Sequence, residues 1–245
     1  MSTALGDSVA VELKSDPIGA AALLRRGRFD QAPVRDRNHV VGWVLTAALE
    51  GARKVTSVMH PLRDSGIVSV EASIAGVLEL LASERFVFTV SEVGLAGFVT
   101  PSDLDRHAVR SHFYLLIADA EMALADIVRR AVPEDRVVER IEGEARDRWK
   151  AAAADNKEAD AVEYLYLRDL AELFLESAWG VAVSPALRNT LTELCQLRPI
   201  VMHAARQLTT GHDPAGLASL ARRGETLART LDGVVAQATG RSRWK

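Results

Sequence analysis

The chain has 245 residues, of which 48% are hydrophobic, 26% charged and 5% aromatic. This composition excludes collagenous, disulfide-stapled and wholly disordered proteins, and it supplies core for one large domain or two smaller ones. Thirty Lys and Arg stand against 33 Asp and Glu, a net charge of −3, so any binding of nucleic acid or acidic membrane must be local.

The first half reads as a mixed α+β unit. Short β-rich runs (VAVEL at 9–13, VVGWV at 40–44, FVFTV at 86–90, LAGFV at 95–99) alternate with short helical stretches and turn residues. This part also repeats itself at a spacing of 55 without a gap, so that Leu13 meets Val68, Leu23 meets Leu78, and VVGWV meets LAGFV. Each copy is expected to run strand, helix, strand, turn, strand, helix. One copy is too small to bury a sheet alone, which predicts that the two pack together as one domain.

Near residue 108 the pattern changes, which places a boundary between 1–108 and 109–245. Apolar residues then recur at helical spacing over 111–131, 136–153, 159–178 and 185–208, with a last helix near 214–238. Pro133, Pro185 and Pro214 sit where helices start, because proline has no amide to lose in a first turn. The second part is predicted to be an all-α bundle. Pro199 is expected to break or kink the fourth stretch near Leu197.

One cysteine, Cys195, allows neither an internal disulfide nor a thiolate zinc site. The opening MSTALGDSVAVELKSD lacks the basic-then-apolar order of a signal peptide, which predicts a cytoplasmic protein. Even FYLLIADAEMALA at 113–125 falls short of the roughly 20 residues a bilayer needs, so no membrane span is expected. His60, His107 and His112 show no metal-ligand spacing, and no metal is expected.

Two motifs carry chemistry. The second copy ends GFVTPSDL, in which a strand delivers Thr100 to a helix start and Asp103 falls in the first turn. Free amides there favour phosphate, and a carboxylate accepts from ribose hydroxyls. The same T-P-S-D is equally a helix cap. Together with DPIGAAALLRRGRFDQAPVRDRNHVVGWV in the first copy, Gly97, Thr100 and Asp103 resemble the cystathionine-β-synthase (CBS) domains, which occur as tandem pairs and bind adenine nucleotides. The resemblance implies a regulatory site for ATP, ADP or AMP in the second copy. It implies none in the first, where Leu45 and Ala48 occupy the matching positions.

The other motif is Arg198 and His203 bracketing Pro-Ile-Val-Met, late in the helical part. This Arg-x4-His resembles the HEPN family (higher eukaryotes and prokaryotes nucleotide-binding), whose active members are metal-independent ribonucleases with sites formed across a homodimer. The resemblance implies His203 as general acid or base and Arg198 as the group that stabilises the scissile phosphate. Pro199 departs from the family, which usually places Asn, Asp or His after the arginine. A bare structural reading is that Arg198 pairs near the proline and His203 is half-buried.

From Gln196 onward eight Lys and Arg face three acids, whereas 111–195 carries ten against 17. A basic segment bearing the motif suits RNA, and equally suits a solvated helix face. Glu121, Asp169, Glu172 and Glu176 are candidates to approach Arg198, or an ordinary exposed face. Tyr164, Leu167, Leu170, Leu173 and Phe174 offer apolar surface for a dimer. Trp149, Trp179 and Trp244 suit packing or an interface rather than base stacking. The sequence therefore points to a nucleotide-regulated homodimer that cleaves RNA, or to a non-catalytic nucleotide-sensing module that binds RNA or a protein partner.

Overall fold

The computed structural model describes residues 3–4, 10–37, 39–92, 94–155, 159–181 and 183–239. It divides into two compact units, Met1–Leu104 and Asp105–Lys245, so the division falls slightly before the change of sequence pattern.

In the first unit the strands are β1 (Thr3–Ala4), β2 (Val11–Glu12), β3 (Gln31–Asp36), β4 (His39–Leu45), β5 (His60–Pro61), β6 (Gly66–Ser69), β7 (Val87–Ser91) and β8 (Gly94–Val99). The helices are α1 (Pro17–Arg26), α2 (Thr46–Leu49) and α3 (Ile74–Leu81). The strands form two sheets, ordered β2-β3-β4-β5 and β1-β8-β7-β6. Each copy contributes a parallel pair joined through its helix (β2 with β3, β6 with β7) and an antiparallel hairpin (β3 with β4, β7 with β8). Even the bulges match, at Val34/Arg35 and Thr89/Val90.

The spacing of 55 holds only from the second strand of each copy. Earlier it is 57: Leu13 and Val70 make equivalent amide bonds to Arg35 and Val90, and Asp16 and Ser73 cap α1 and α3. Leu24 and Leu81 are the matching buried leucines. Leu23 is 52% exposed while Leu78 is fully buried, so the expected pairing of those two is wrong. Two extra residues in the first copy, between Leu24 and Ala32, absorb the difference.

The copies meet through aromatic rings. Trp43 of the first lies edge-on to Phe86 of the second at 5.0 Å, and Phe86 lies edge-on to Phe88 and Phe98. These four rings are buried as one cluster. The small void beside them, lined by Gln31, Ala32, Pro33, Phe86, Phe88 and Phe98, is too tight for a water molecule.

The second unit is helical: α4 (His107–Ala131), α5 (Glu134–Arg140), α6 (Gly143–Ala154), α7 (Leu167–Glu176), α8 (Ala178–Val181), α9 (Pro185–Met202) and α10 (Pro214–Thr239). α4 packs against α7, α9 and α10. It turns Val109, Phe113, Leu116, Ala120, Leu124 and Ile127 inward. The stretch expected at 136–153 is two helices, split at Ile141–Glu142 ahead of Gly143, whose φ of +55° suits glycine. Leu167, Leu170, Leu173 and Phe174 are buried within the unit, so they supply no dimer surface. Among the described residues no helix is long and apolar enough to cross a membrane.

α9 passes through Pro199 unbroken and stops at Met202 instead of running to 208. Arg110 of α4, only 8% exposed, sets this end. Its Nη1 donates to the carbonyls of Ile200 (2.8 Å), His203 (3.4 Å) and Val201 (3.5 Å), its Nη2 to the Arg206 carbonyl, and its Nε to the Asp105 carbonyl at 3.4 Å. Asp105 then accepts from the amides of Leu208 (2.5 Å) and Thr209 (3.2 Å) and from the Thr209 hydroxyl (2.6 Å).

Arg110→Met removes these side-chain donors, leaving the His203 carbonyl the Arg206 amide, and is expected to cost about 2–4 kcal/mol, the scale of a disrupted buried network. Urea unfolding reads the loss, and amide exchange should speed up first over 203–210. A change below about 0.5 kcal/mol would show that other contacts hold this segment.

Candidate functional site

The second copy's motif lies where β8 ends. Gly97 sits in register with Thr89 on one side and Ala4 of β1 on the other. At the equivalent Gly42, paired with Pro61 of β5, a Cβ would lie 2.4 Å from the His60 carbonyl oxygen. The first copy's glycine thus serves close strand approach.

Beyond β8 the chain turns into a short 3-10 helix, Pro101–Asp105. Asp103 is 3% exposed, and its Oδ2 accepts from the Thr100 amide at 2.8 Å and the Thr100 hydroxyl at 2.9 Å. The Asp103 amide returns a bond to the Thr100 carbonyl at 2.9 Å. The capping reading of T-P-S-D is therefore realised, and the carboxylate is held at a fixed place in the turn. In the first copy Thr46 turns inward instead, its hydroxyl donating to the Phe29 carbonyl at 2.6 Å.

Arg198 and His203 are not brought together within the chain. In an unbroken helix residues five apart point about 140° away from each other. Arg198 reaches Glu121 of α4, with Nη2 to Oε1 at 3.5 Å, and its guanidinium carbon lies 5.9 Å from the Tyr166 ring centre. Its Nε is buried with no partner among the described residues. His203 ends α9 in extended backbone, with φ −107° and ψ 102°, and is exposed rather than half-buried.

Among the described residues, Glu121 alone of these four acids contacts Arg198. Asp169 caps α7 by accepting from the Tyr166 amide at 3.0 Å. Glu172 and Glu176 receive Arg140 from α5, at 2.8 and 2.5 Å. Burial pushes the Cys195 thiol up to about 11, which makes it a poor nucleophile. His60 stacks on Trp43 at 4.2 Å. Among the described residues no three His, Cys, Asp or Glu side chains gather as a metal site would. Trp149 and Trp179 are half-buried, whereas Trp244, Arg241, Arg243 and Lys245 lie outside the described residues. Arg110 carries no sequence signature, because its partners are carbonyls, which every residue has.

No family model and no curated protein matches the chain. The solved structures similar to it include the CBS domain of a bacterial CNNM/CorC-family Mg2+ transporter in complex with ATP, at 26% identity, covering 44% of this chain and 83% of that one with a TM-score of 0.38. The similarity is to CBS domains. The CBS-pair protein CBSX2 of Arabidopsis thaliana is 18% identical, covering 45% of this chain and 92% of that one with a TM-score of 0.39. A haemolysin-like CBS protein of Oenococcus oeni is 14% identical, over 44% and 85%, with a TM-score of 0.38.

Burial holds the His112 pKa below its ordinary 6.5, with the charge of Glu225 opposing the shift, and its Nε2 is buried without a partner among the described residues. The unfolded chain therefore takes up this proton first as pH falls. The stability that the neutral ring contributes is present above about 6.5 and is lost progressively as pH falls toward the lowered folded value. In His112→Gln this contribution to the decline of the melting temperature between pH 7 and 5 should vanish, giving a shallower slope than wild type. Equal slopes would remove His112 from the acid response.

Proposed function

We propose that the chain is a nucleotide-sensing regulatory protein, in which the second N-terminal copy binds an adenine nucleotide and the helical unit is the responding part. The observation that carries this is the Thr100–Asp103 turn. A buried carboxylate is fixed at the end of a strand, in the one copy whose sequence has the motif. Thr100 and Asp103 are the residues for ribose and phosphate, and Gly97 is the motif's glycine on the strand that leads to them. The ATP bound by the similar Mg2+-transporter CBS domain supports the same ligand class here.

Calorimetric titration with ATP, ADP and AMP tests it. At least one should bind, and Asp103→Ala should weaken it by about 1.5–3 kcal/mol, roughly 10- to 150-fold, as for a lost bond to a charged group. Because Asp103 also caps Thr100, a thermal melt of the variant must accompany the titration. Absence of heat with all three nucleotides would sink the reading.

A second reading keeps the helical unit as a metal-independent ribonuclease. It is favoured by the exposure of His203 and by the fact that a site shared between two copies does not require Arg198 and His203 to meet within one. Glu121 and Pro199 weigh against it, the first by neutralising Arg198 and the second by continuing the helix. Chelator-resistant cleavage of single-stranded RNA, leaving a 2′,3′-cyclic phosphate and lost in Arg198→Ala and His203→Ala, is its expected signature. No cleavage with nucleotide present or absent leaves the regulatory reading alone.

A further inference from the structure

Two carboxylates, two residues apart on the 3-10 helix Pro101–Asp105, hold two different pieces of chain. Asp103 holds Thr100 at the end of β8, through the amide and the hydroxyl. Asp105 holds the loop beyond α9. Its Oδ1 accepts from the amides of Leu208 and Thr209, its Oδ2 from the Thr209 hydroxyl, and its carbonyl from Arg110 Nε. Leu104, between the two acids, is fully buried, so neither can move by swinging the backbone into water without exposing a leucine. The division of the chain into two units falls inside this helix, with Leu104 ending one and Asp105 beginning the other. A helix this short, at about three residues per turn, leaves each residue's place set by its neighbours.

We propose that this helix is a coupling element: nucleotide held at Thr100 and Asp103 tightens the clasp of Asp105 on Leu208 and Thr209. The inference rests on the nucleotide reading given above and adds the route by which the ligand acts. A nucleotide bound through Thr100 and Asp103 meets both side chains in the arrangement that the cap sets, so it favours the formed turn over an opened one. The formed turn fixes where Asp105 lies, two residues on, and with it the acceptors for Leu208 and Thr209. His203 and Arg206 follow the clasp, because Arg110, which binds the Asp105 carbonyl, also binds theirs. Asp105 is a positioning residue in this scheme and touches no ligand.

Amide exchange of the full chain tests it, with and without a saturating amount of whichever of ATP, ADP and AMP is found to bind. The Leu208 and Thr209 amides should exchange about 5-fold or more slowly with nucleotide, the lower end of usual coupling between sites. Amides in the middle of α10 report opening of the helical unit as a whole and should keep their rates. Coupling is reciprocal, so Asp105→Ala, which opens the clasp, should bind the nucleotide more weakly by the same factor. Thr209→Val, which removes only the hydroxyl bond to Oδ2, should weaken binding by a smaller factor. Nucleotide that binds without slowing 208 and 209, slowing shared equally by α10, or unchanged affinity in a folded Asp105→Ala would overturn the coupling and leave the nucleotide site standing. Failure of all three nucleotides to bind would overturn both. Should Asp105→Ala unfold, the wild-type exchange and Thr209→Val decide.

Discussion

The Arg110 guanidinium fixes the part of the molecule that carries the Arg-x4-His motif. The last carbonyls of any α-helix have no partner within it, and where water is kept away something else must donate. Arg110 lies on the first turn of α4 and presents donors to Ile200, Val201, His203 and Arg206 at once. Lysine has three donors on a single point and does not span that arc, whereas the planar fork does. Asp105, one turn earlier, holds the following amides of Leu208 and Thr209. A stretch of six residues thus grips both the exit of α9 and the loop beyond it, and the place of His203 follows from this grip.

Pro199 illustrates how position decides the cost of a proline. It removes the amide that would bond the Cys195 carbonyl and crowds that carbonyl, which in mid-helix forces a kink. Here only three helical residues follow it. The helix therefore continues to Met202. Continuity then separates Arg198 from His203 by the ordinary helical rotation and turns Arg198 toward Glu121 and Tyr166.

Much of the fold was legible because hydrophobic period reports burial directly. The β-rich runs at 40–44, 86–90 and 95–99 coincide with β4, β7 and β8, and Pro185 and Pro214 do open α9 and α10. What was hidden depends on choices between chemically equal residues. Leu23 and Leu24 are adjacent and identical, and only the packing reveals that Leu24 is the buried one, so the change of spacing from 57 to 55 could not be read. The same holds for α7, whose apolar residues look alike whether they face a core or a partner. At the Thr100–Asp103 turn the sequence supported both a cap and a ligand site, and the hydrogen bonds found there are those of the cap.

The helical unit has one element on which the others register, and small residues make that possible. A Cβ on Gly224 of α10 would come within 3.3 Å of the Leu116 side chain, tighter than ordinary packing, so the glycine eases the approach of α10 to α4. Ala120 and Ala123 reduce the bulk of α4 on its buried side in the same way. Close packing of this kind leaves little freedom to shift α4 along its neighbours, because interdigitated cores move in steps rather than continuously. Arg110 at its first turn and Glu121 further along are therefore carried on one rigid rod. Any event that displaces α4 must change the hold on the end of α9 and the pairing of Arg198 together.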